Sequence, residues 1–598
     1  MRFKRSKITK TGLWIIGRFI PVEDHGYLSG DMVEAYTGIR EKNGRIIAFC
    51  WFWLQVLRTV PPIIKDDMKW GLLMLKNYLK MAFRNIAKQK LFSLINIAGL
   101  ATGIACVLLI LFFVTDELSY DNYHEKGDRI FRLISHSTIG GTTRSFAISP
   151  SALAPEMTRS LPEVESFVRI FDGNNLNLNY NDKDTRLDTW AYADSAFFNI
   201  FSYDFIAGDP ETALEKPSSL VLTETAAMRI FGSEEPFGKS VSIPRSPFSN
   251  IQITGVIKDV PENSHYRFDA ILSMSSLTAN ANMNTDFLSD GYYFRCLSYI
   301  LLNTEADAQA VYMKTKDVVE NAWGELLSSR GVVRDYELQP LRSIHLNSKL
   351  ESETGTPGSI TYVYLFAAVA LSILLIACFN FINLSTARSV KRAREVGMRK
   401  AVGAYKAQLI NQFLSESVIL SLISVLIGVL IAASLLPIFN SLTGKNFSSD
   451  MFFSITTILW LIGVIIITGV IAGSFPAFML SSFHPVEVLK GKFLGRAENI
   501  GLRKILVVLQ FSISIFIIIS TIIILNQLDF LKNKDLGFDR DQMAIIRMGG
   551  RPDEALRNSI LQIPSISAIS MTMNIPGQSS TDDTYTAEGK DPDETIRV

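Results

Sequence analysis

Five apolar segments, each long enough to cross a lipid bilayer, constrain this chain more than any other feature. A helix needs roughly 20 apolar residues to span about 30 Å of hydrocarbon, and lipid obliges such a segment to satisfy its own backbone hydrogen bonds. Only the third segment carries a charged side chain, Glu416 near one end. The pattern predicts an α-helical transmembrane bundle. The segments are Leu91–Val114, Thr361–Thr386, Phe413–Pro437, Phe453–Ser481 and Ile505–Leu525.

Lysine and arginine side chains gather at the ends of these segments that would face one side of the membrane. Five lie at positions 76–90, seven at 388–406 and five at 490–504, whereas the loop between the third and fourth segments has only Lys445 and Asp450. Because short basic loops stay in the cytoplasm, we expect a multi-pass protein of the bacterial inner (cytoplasmic) membrane with a cytoplasmic N-terminus. The polar residues 116–359 would then be extracytoplasmic.

One short segment leaves this orientation open. Ile46–Leu57 is apolar and rich in tryptophan, and Arg45 and Arg58 flank it. If it crossed the membrane, the predicted orientation of every following segment would invert. Its length favours an interfacial or packed helix instead.

The polar residues 116–359 are predicted to form a mixed α/β domain inserted into the helical bundle. Ile251–Val256 has the composition of a strand, and Ser219–Leu222 that of a strand leading into a helix at Glu224–Phe231. Glycine and proline signals punctuate the region.

The chain also contains the start of a second repeat. A basic patch, an apolar segment and an acidic-aromatic exit occur at Lys90–Tyr120 and again, roughly 414 residues later, at Lys504–Phe530. Only residues 526–598 follow the fifth apolar segment. The repeat predicts an incomplete second extracytoplasmic domain and a natural length of about 800 residues.

Several classes of chemistry are disfavoured. The segment Gly232–Ser240 resembles a phosphate-binding loop, but five residues rather than four separate its glycines and Pro236 removes one of the amides that would bind phosphate. No ionisable side chain lies in the middle of an apolar segment, which argues against an ion-coupled transporter. The six histidines are scattered and no zinc-type spacing occurs. We therefore expect no catalytic residues, no cofactor and no metal in this chain, and no nucleic-acid partner.

Two glycine pairs at helical spacing would allow helices to approach closely. These are Gly99 with Gly103 and Gly469 with Gly473, and ordinary helix packing is favoured over a dimer face. The segment Ala387–Glu416 is basic and interrupted by glycines. It suits a short cytoplasmic helix that lies across the membrane face and is presented to a partner, although plain anchoring by positive charge would produce a similar composition.

The sequence Arg394–Ala404, followed by Gln412–Glu416, resembles the cytoplasmic motif of FtsX-like ABC permeases. Three segments of the polar region resemble the macrolide-exporter-type periplasmic core domain: Ala193–Phe201, Gly208–Pro210 and Phe231–Lys239. Gly255-Val256 with Pro261 and Asn263-Ser264 extends that pattern. Residues 1–70 are similar to a permease prefix domain.

This resemblance implies the following organisation. Residues 1–70 form the cytoplasmic prefix domain and 71–115 the first transmembrane helix with its basic approach. Residues 116–359 form the periplasmic core domain, and 360–490 an FtsX-like transmembrane domain with a coupling segment at 387–412. Residues 491–525 form the helix that opens the second repeat, and 526–598 the start of its extracytoplasmic domain.

The resemblance also implies a function. Such permeases have four helices per half and pair with a separate cytoplasmic ATPase, which binds the ATP; a second permease copy and a periplasmic adaptor are further expected partners. The expected function is to couple ATP hydrolysis to extracytoplasmic movement, for export of a drug, peptide or lipid-linked substrate. The alternative is a membrane-bound sensor or regulator of cell-envelope enzymes without net transport. The residues expected to contact the ATPase are Glu395, Gly397, Arg399, Lys400, Gly403 and Ala404.

Overall fold

The computed structural model describes residues 31–56, 58, 80–81, 84, 87–139, 141–244, 250–279, 285–481, 498–535, 543–546, 554–570, 584–586 and 595–597. The chain divides into two compact units. The helical unit consists of Met1–Ile110 and Val369–Leu531, and the sheet unit of Leu111–Ala368 and Lys532–Val598.

The described helices include five long apolar ones. The helices are α1 Lys90–Leu118, α2 Leu153–Ser160, α3 Phe197–Ile200, α4 Glu224–Phe231, α5 Ser275–Ala279, α6 Ala308–Ser329, α7 Ile344–Asn347, α8 Ile360–Ala401, α9 Lys406–Thr443, α10 Ile455–Ser481, α11 Glu498–Asn533 and α12 Glu554–Leu561. By length and composition α1, α8, α9, α10 and α11 can each cross a membrane. The five predicted membrane segments are thus confirmed as helices.

The observed helices differ from the predicted segments at their ends. α9 continues through Pro437 to Thr443, and Gly444 ends it in the left-handed conformation. α8 continues far beyond Thr386, to Ala401. Hydropathy marks the apolar part of a helix, whereas the helix itself ends only where a residue such as glycine stops it.

Glycines lie where the membrane helices of the helical unit approach each other. A methyl group on Gly103 would lie 3.2 Å from Cβ of Ala377, so α1 and α8 are close there, and Gly99 faces Asn380 of α8. On α10, Gly469 and Gly473 face α9, where added methyl groups would lie 2.7 Å from Val418 and Ser417, respectively. The structure thus places both glycine pairs against helices of the same chain.

The helical residues 31–56 fold back on themselves. Gly44 has φ +88°, and the ring of Tyr36 packs edge-on against Phe52 at 5.7 Å. The described part of the predicted apolar segment, residues 46–56, therefore contributes to a packed helix pair rather than to a long apolar helix. The rest of the predicted prefix domain, and the basic residues at 76 and 490–496, lie outside the described residues.

In the described residues, the sheet unit contains a large mixed sheet of twelve strands and a separate two-stranded sheet. The main path runs β12-β1-β11-β4-β5-β10-β7-β9-β6, with β2, β3 and β8 paired at its sides. The strands are β1 Ile130–Ile139, β2 Thr142–Phe146, β3 Ser149–Pro150, β4 Val164–Tyr180, β5 Lys183–Ala193, β6 Phe205–Gly208, β7 Ser219–Thr223, β8 Ser240–Val241, β9 Ile251–Ile257, β10 Ala270–Ser273, β11 Phe294–Leu302, β12 Val333–Pro340, β13 Thr584–Thr586 and β14 Thr595–Arg597. The predicted strands at 219 and 251 and the helix at 224–231 are confirmed.

The first and last strands of the inserted region are neighbours. β1 begins soon after α1 ends, β12 ends shortly before α8 begins, and the two strands are antiparallel with Phe131 opposite Pro340. Consequently, the chain enters and leaves this part of the sheet at the same end. That end carries the connections to both membrane helices.

Candidate functional site

The predicted coupling segment, residues 387–412, is a tight connection between two long helices. It contains the end of α8, a turn and the first residues of α9. The prediction of a separate short helix lying across the membrane face is therefore wrong. Alanine, arginine, lysine and glutamate favour helix, and α8 continues to Ala401, two residues before Gly403.

Gly403 makes the turn possible. Its φ is +103°, a conformation that costs glycine little and strains other residues. The amide of Gly403 donates to the carbonyl of Lys400 at 3.1 Å, and that of Ala404 to Arg399 at 3.0 Å. These bonds satisfy the last carbonyl groups of α8. The side chain of Gln408 then accepts from the amide of Tyr405 at 3.3 Å and caps α9.

A hydrogen bond links the two helices behind this turn, and an ion pair within α8 holds its donor. Arg399 donates through Nη1 to Oε1 of Gln412 on α9 at 2.6 Å, and its Nη2 lies 2.7 Å from Oε1 of Glu395. Below them a small apolar core consists of Val396, Leu409, Phe413 and Ala477. We call the braced connection, residues 395–412, the coupling hairpin.

The structure gives the six predicted contact residues different surroundings. Glu395 and Arg399 bind each other, and Gly397 is buried. Gly403 is exposed, whereas Lys400 and Ala404 are half-buried. Part of the predicted set therefore shapes the coupling hairpin rather than forming its outer surface.

Apolar side chains that the motif did not single out form the exposed end of the coupling hairpin. Val402 is 89% exposed, Tyr405 73% and Met398 57%. Met398, Arg399, Val402 and Ala404 line a shallow depression of about 390 Å³. This group of exposed apolar side chains is a candidate protein-binding surface. The spacing of Met398 and Val402 within a basic stretch, which places them on one helical face, could have revealed them.

The segment that resembles a phosphate loop is an internal turn of the sheet unit. Gly232 ends α4 with φ +65°, and Gly238 has φ +77°. Lys239 pairs with the carboxylate of Glu234, and its Nζ lies 5.3 Å from the centre of the Tyr180 ring. Lys239 is therefore engaged within its own domain.

Comparison with protein families identifies two domains. Residues 93–318 match the MacB-like periplasmic core domain, and residues 367–485 match the C-terminal domain of FtsX-like permeases. The first match covers most of the sheet unit, and the second contains the whole coupling hairpin. Together they cover more than half of the chain.

Curated relatives match long stretches of the chain. The chain is 22% identical over 440 residues to a macrolide export ATP-binding/permease protein MacB from Wolinella succinogenes, covering 70% of this chain and 61% of the relative. It is 24% identical over 286 residues to the MacB protein of Neisseria gonorrhoeae, covering 47% of this chain and 39% of that protein. The chain thus spans less than two thirds of the length of these relatives.

Solved structures that are similar to this chain are also parts of permeases. A domain of a permease protein from Porphyromonas gingivalis has 21% identity and a TM-score of 0.33, covering 40% of this chain and 98% of that domain. The periplasmic region of MacB from Actinobacillus actinomycetemcomitans has 13% identity and a TM-score of 0.26, covering 35% of this chain and 88% of that region.

Proposed function

Since this chain belongs to the family of FtsX-like ABC transporter permeases with a MacB-like periplasmic core domain, we propose that its coupling hairpin docks on a separate cytoplasmic ATPase. The chain would then transmit the ATPase's movement to the sheet unit. The observation that carries this proposal is the exposed apolar end of the coupling hairpin, which Met398, Val402 and Tyr405 form.

The coupling hairpin has the properties that a docking element needs. A contact that transmits force must be rigid. Arg399 links α8 to Gln412 of α9, and Glu395 holds the guanidinium from within α8. Gly403 allows the turn between the two helices. Its apolar end can bury surface against a partner, and apolar burial supplies most of the free energy of association. The basic residues around it would provide charge complementarity to an acidic rim.

We propose the orientation of the chain from the same basic side chains. The basic clusters at 80–90, 388–406 and 503–504 would face the cytoplasm, so that the coupling hairpin is accessible to a soluble ATPase. The sheet unit would then lie outside the cytoplasmic membrane. This assignment also gives the N-terminal residues a cytoplasmic location.

The substrate class is proposed from the relatives. The MacB relatives are export proteins by name, and we propose that this chain likewise serves export or efflux of a drug, peptide or lipid-linked substrate. ATP-driven closure of the ATPase would move α8 and α9. The connections at Asp116–Tyr120 and Ser359–Tyr364 would pass that movement to the sheet unit. A second permease copy and an extracytoplasmic adaptor would complete the assembly.

Substitutions at the exposed end of the coupling hairpin test the docking. In the full chain, Met398→Glu combined with Val402→Glu should weaken co-purification with the ATPase at least about tenfold and abolish the stimulation of ATP hydrolysis. Both side chains are exposed, so the fold should tolerate the change. Reversing charge at Lys400 and Arg399 should also impair coupling, but Arg399 braces the hairpin and its loss would perturb the fold as well.

The matched control is Leu442→Glu. Leu442 is 79% exposed and lies at the other end of α9, which the proposal places on the opposite side of the membrane. This variant should bind and stimulate the ATPase like the wild type. The proposed docking site would be contradicted if the wild type, the double variant and the Leu442→Glu control all associated equally with the ATPase.

A further inference from the structure

We infer that a hydrogen-bonded clamp, formed by Asn263, Ser264, His265 and His345, fixes the first stalk to the sheet. The first stalk is defined here as residues 117–124, the end of α1 and the turn that follows it. The inference rests on the proposed function for its purpose, the transmission of helix movement, but the clamp itself can be tested without an ATPase.

Asp121 is the centre of the clamp. It is fully buried, with φ +59°. Its Oδ1 accepts from the amide of His265 at 3.1 Å and lies 2.8 Å from Nδ1 of that ring. The other ring nitrogen of His265, Nε2, lies 2.9 Å from the hydroxyl of Tyr299 in β11. The stalk is thereby connected to a central strand of the sheet.

The two residues before His265 bind neighbouring positions of the stalk. The carbonyl of Asn263 accepts from the amide of Asp121 at 2.9 Å. Its side-chain Nδ2 donates to the hydroxyl of Ser119 at 3.0 Å and to the carbonyl of the same residue at 3.2 Å. Tyr123 donates to the hydroxyl of Ser264 at 2.9 Å. Three consecutive loop residues therefore hold a stretch of five stalk residues.

His345 forms the second half of the clamp. Its Nε2 lies 2.8 Å from Oε2 of Glu117, and both side chains are only 7% exposed. The ring of Tyr120 stacks on the imidazole of His345, with the ring centroids 3.4 Å apart. Gly358, two residues before α8, donates its amide to the carbonyl of His345 at 2.8 Å. A methyl group on Gly358 would lie 2.6 Å from both Nε2 of His345 and Oε2 of Glu117. Only glycine leaves room for this pair.

The clamp lies where both membrane helices join the sheet. The compact sheet unit includes the outer end of α1, from Leu111, and the outer end of α8, as far as Ala368. Within it, the rings of Phe113 and Phe366 pack edge-on at 5.2 Å. The two outer helix ends therefore contact each other, and the clamp connects the first of them to the loop between β9 and β10.

The polar character of the clamp is what suggests a mechanical role. Apolar packing alone lets a segment slide, whereas directional buried hydrogen bonds fix its position, because each broken bond leaves a buried polar group unpaired. The structure also retains features that simple packing would not require. Asp121 has a left-handed backbone, and its Oδ2 and the Nε2 of His124 find no hydrogen-bond partner within the described residues. Buried polar groups of this kind, on a residue with a left-handed backbone, are consistent with a positioning role for Asp121.

Amide hydrogen exchange of the full chain tests the clamp directly. Asp121→Gly keeps the left-handed backbone but removes the carboxylate, whereas Asp121→Asn keeps the backbone and an oxygen acceptor. We expect exchange at residues 119–124 to rise about tenfold in Asp121→Gly and to return close to the wild-type rate in Asp121→Asn. The inference would be overturned if the amides of residues 119–124 were unprotected in the wild type, or if they exchanged at equal rates in the two variants.

Gly358→Ala tests the second half. The added methyl group should separate His345 from Glu117 and raise exchange at residues 117–120 by a similar factor. The control is Gly324→Ala in α6, where the added methyl group meets only the side chain of Glu320, at 3.1 Å. The control should exchange like the wild type. Unchanged exchange in Gly358→Ala would refute this half.

A distance measurement shows whether the clamp transmits movement. Spin labels at Ser329→Cys in α6 and Leu442→Cys in α9, in a Cys50→Ser background, report the position of the sheet unit against the membrane helices with the ATPase bound. ATP should change this distance in the wild type. Asp121→Gly and Gly358→Ala should lose most of the change while still binding the ATPase.

The outcomes separate the two proposals. If the variants keep the full distance change, the clamp does not transmit movement and the inference fails. If ATP does not change the distance between the spin labels in the wild type, or if the wild type binds no ATPase, the proposed function fails. The amide exchange rates then decide by themselves whether the clamp exists.

Discussion

Nε2 of His345 lies 2.8 Å from Oε2 of Glu117, a contact that joins α7 to the last turn of α1 across 228 residues of sequence. Glu117 ends the helix that enters the sheet unit, and His345 belongs to the connection that leaves it. The pair therefore ties together both points at which the chain passes between the sheet and the membrane helices. In the proposed mechanism, a movement of α1 or α8 reaches the sheet through this buried contact.

Acid should destabilise the sheet unit through His124. Burial lowers the pKa of His124 to about 4, although the nearby Asp121 acts in the opposite direction. The imidazole of an unfolded chain has a pKa near 6.5. Between about pH 6.5 and 4 the unfolded state therefore binds a proton that the folded state does not, and stability falls as the pH falls through this window. Above pH 6.5 the residue makes no pH-dependent contribution.

The variant His124→Asn measures how much stability His124 removes in acid. The native side chain accepts from the amide of Ser202 at 3.0 Å, and asparagine can supply an acceptor. Amide protection in β11 reports the free energy of unfolding. Between pH 6.5 and 4 we expect this free energy to fall by up to about 3 kcal/mol more in the wild type than in the variant. An identical pH dependence in the two proteins would contradict the assignment to His124.

Gly403→Ala should loosen the coupling hairpin. The φ of +103° strains any residue with a Cβ, so we expect a local cost of about 1–2 kcal/mol and faster amide exchange at residues 396–409. Gly501→Ala is the control, because that helical glycine has open space around it. It should leave the coupling hairpin unchanged. Equal exchange in Gly403→Ala and the control would show that the turn does not depend on glycine.

Gly469→Ala should separate α9 from α10. The added methyl group would lie 2.7 Å from Val418, and overpacking of this kind costs about 1–3 kcal/mol. Gly463→Ala in the same helix meets no neighbour within 4 Å and should have little effect. Thermal unfolding in detergent compares the two variants. A midpoint for Gly469→Ala as high as that of Gly463→Ala would argue against the observed helix contact.

Labelling with a membrane-impermeant maleimide tests the orientation. In a Cys50→Ser background, Ser329→Cys should react in intact spheroplasts, whereas Val402→Cys should react only after the membrane is permeabilised. Native Cys296 should remain unlabelled, because it is buried and burial raises the pKa of its thiol to about 11. Labelling of Val402→Cys before Ser329→Cys would reverse the proposed topology.

Much of the fold could be predicted from the sequence because lipid imposes a strict pattern. A segment such as Thr361–Thr386 has few alternatives to a membrane helix, and β-branched residues after turn signals identified β7 and β9. The end of α8 could not be predicted in the same way. Basic residues are compatible both with a helix that continues and with one that turns across the membrane surface, and only Gly403 decides between them.

The clamp and the exposed end of the coupling hairpin depend on information that local sequence does not contain. His265 and Asp121 are 144 residues apart, and nothing near either residue indicates its partner. His265 and His345 therefore look unrelated in the sequence until the sheet unit brings them to the stalk. The exposure of Val402 is likewise a property of the turn, since a valine in a helical sequence is equally compatible with a buried position.

The most direct test of the account is site-specific photo-crosslinking in living cells. A photoreactive amino acid in place of Val402 should form a covalent adduct with a cytoplasmic ATPase, identified by mass spectrometry, and the same group in place of Leu442 should form none. An ATPase adduct at Val402 alone is the result that the account predicts. The absence of an ATPase adduct at Val402, or equal adducts at both positions, would contradict it.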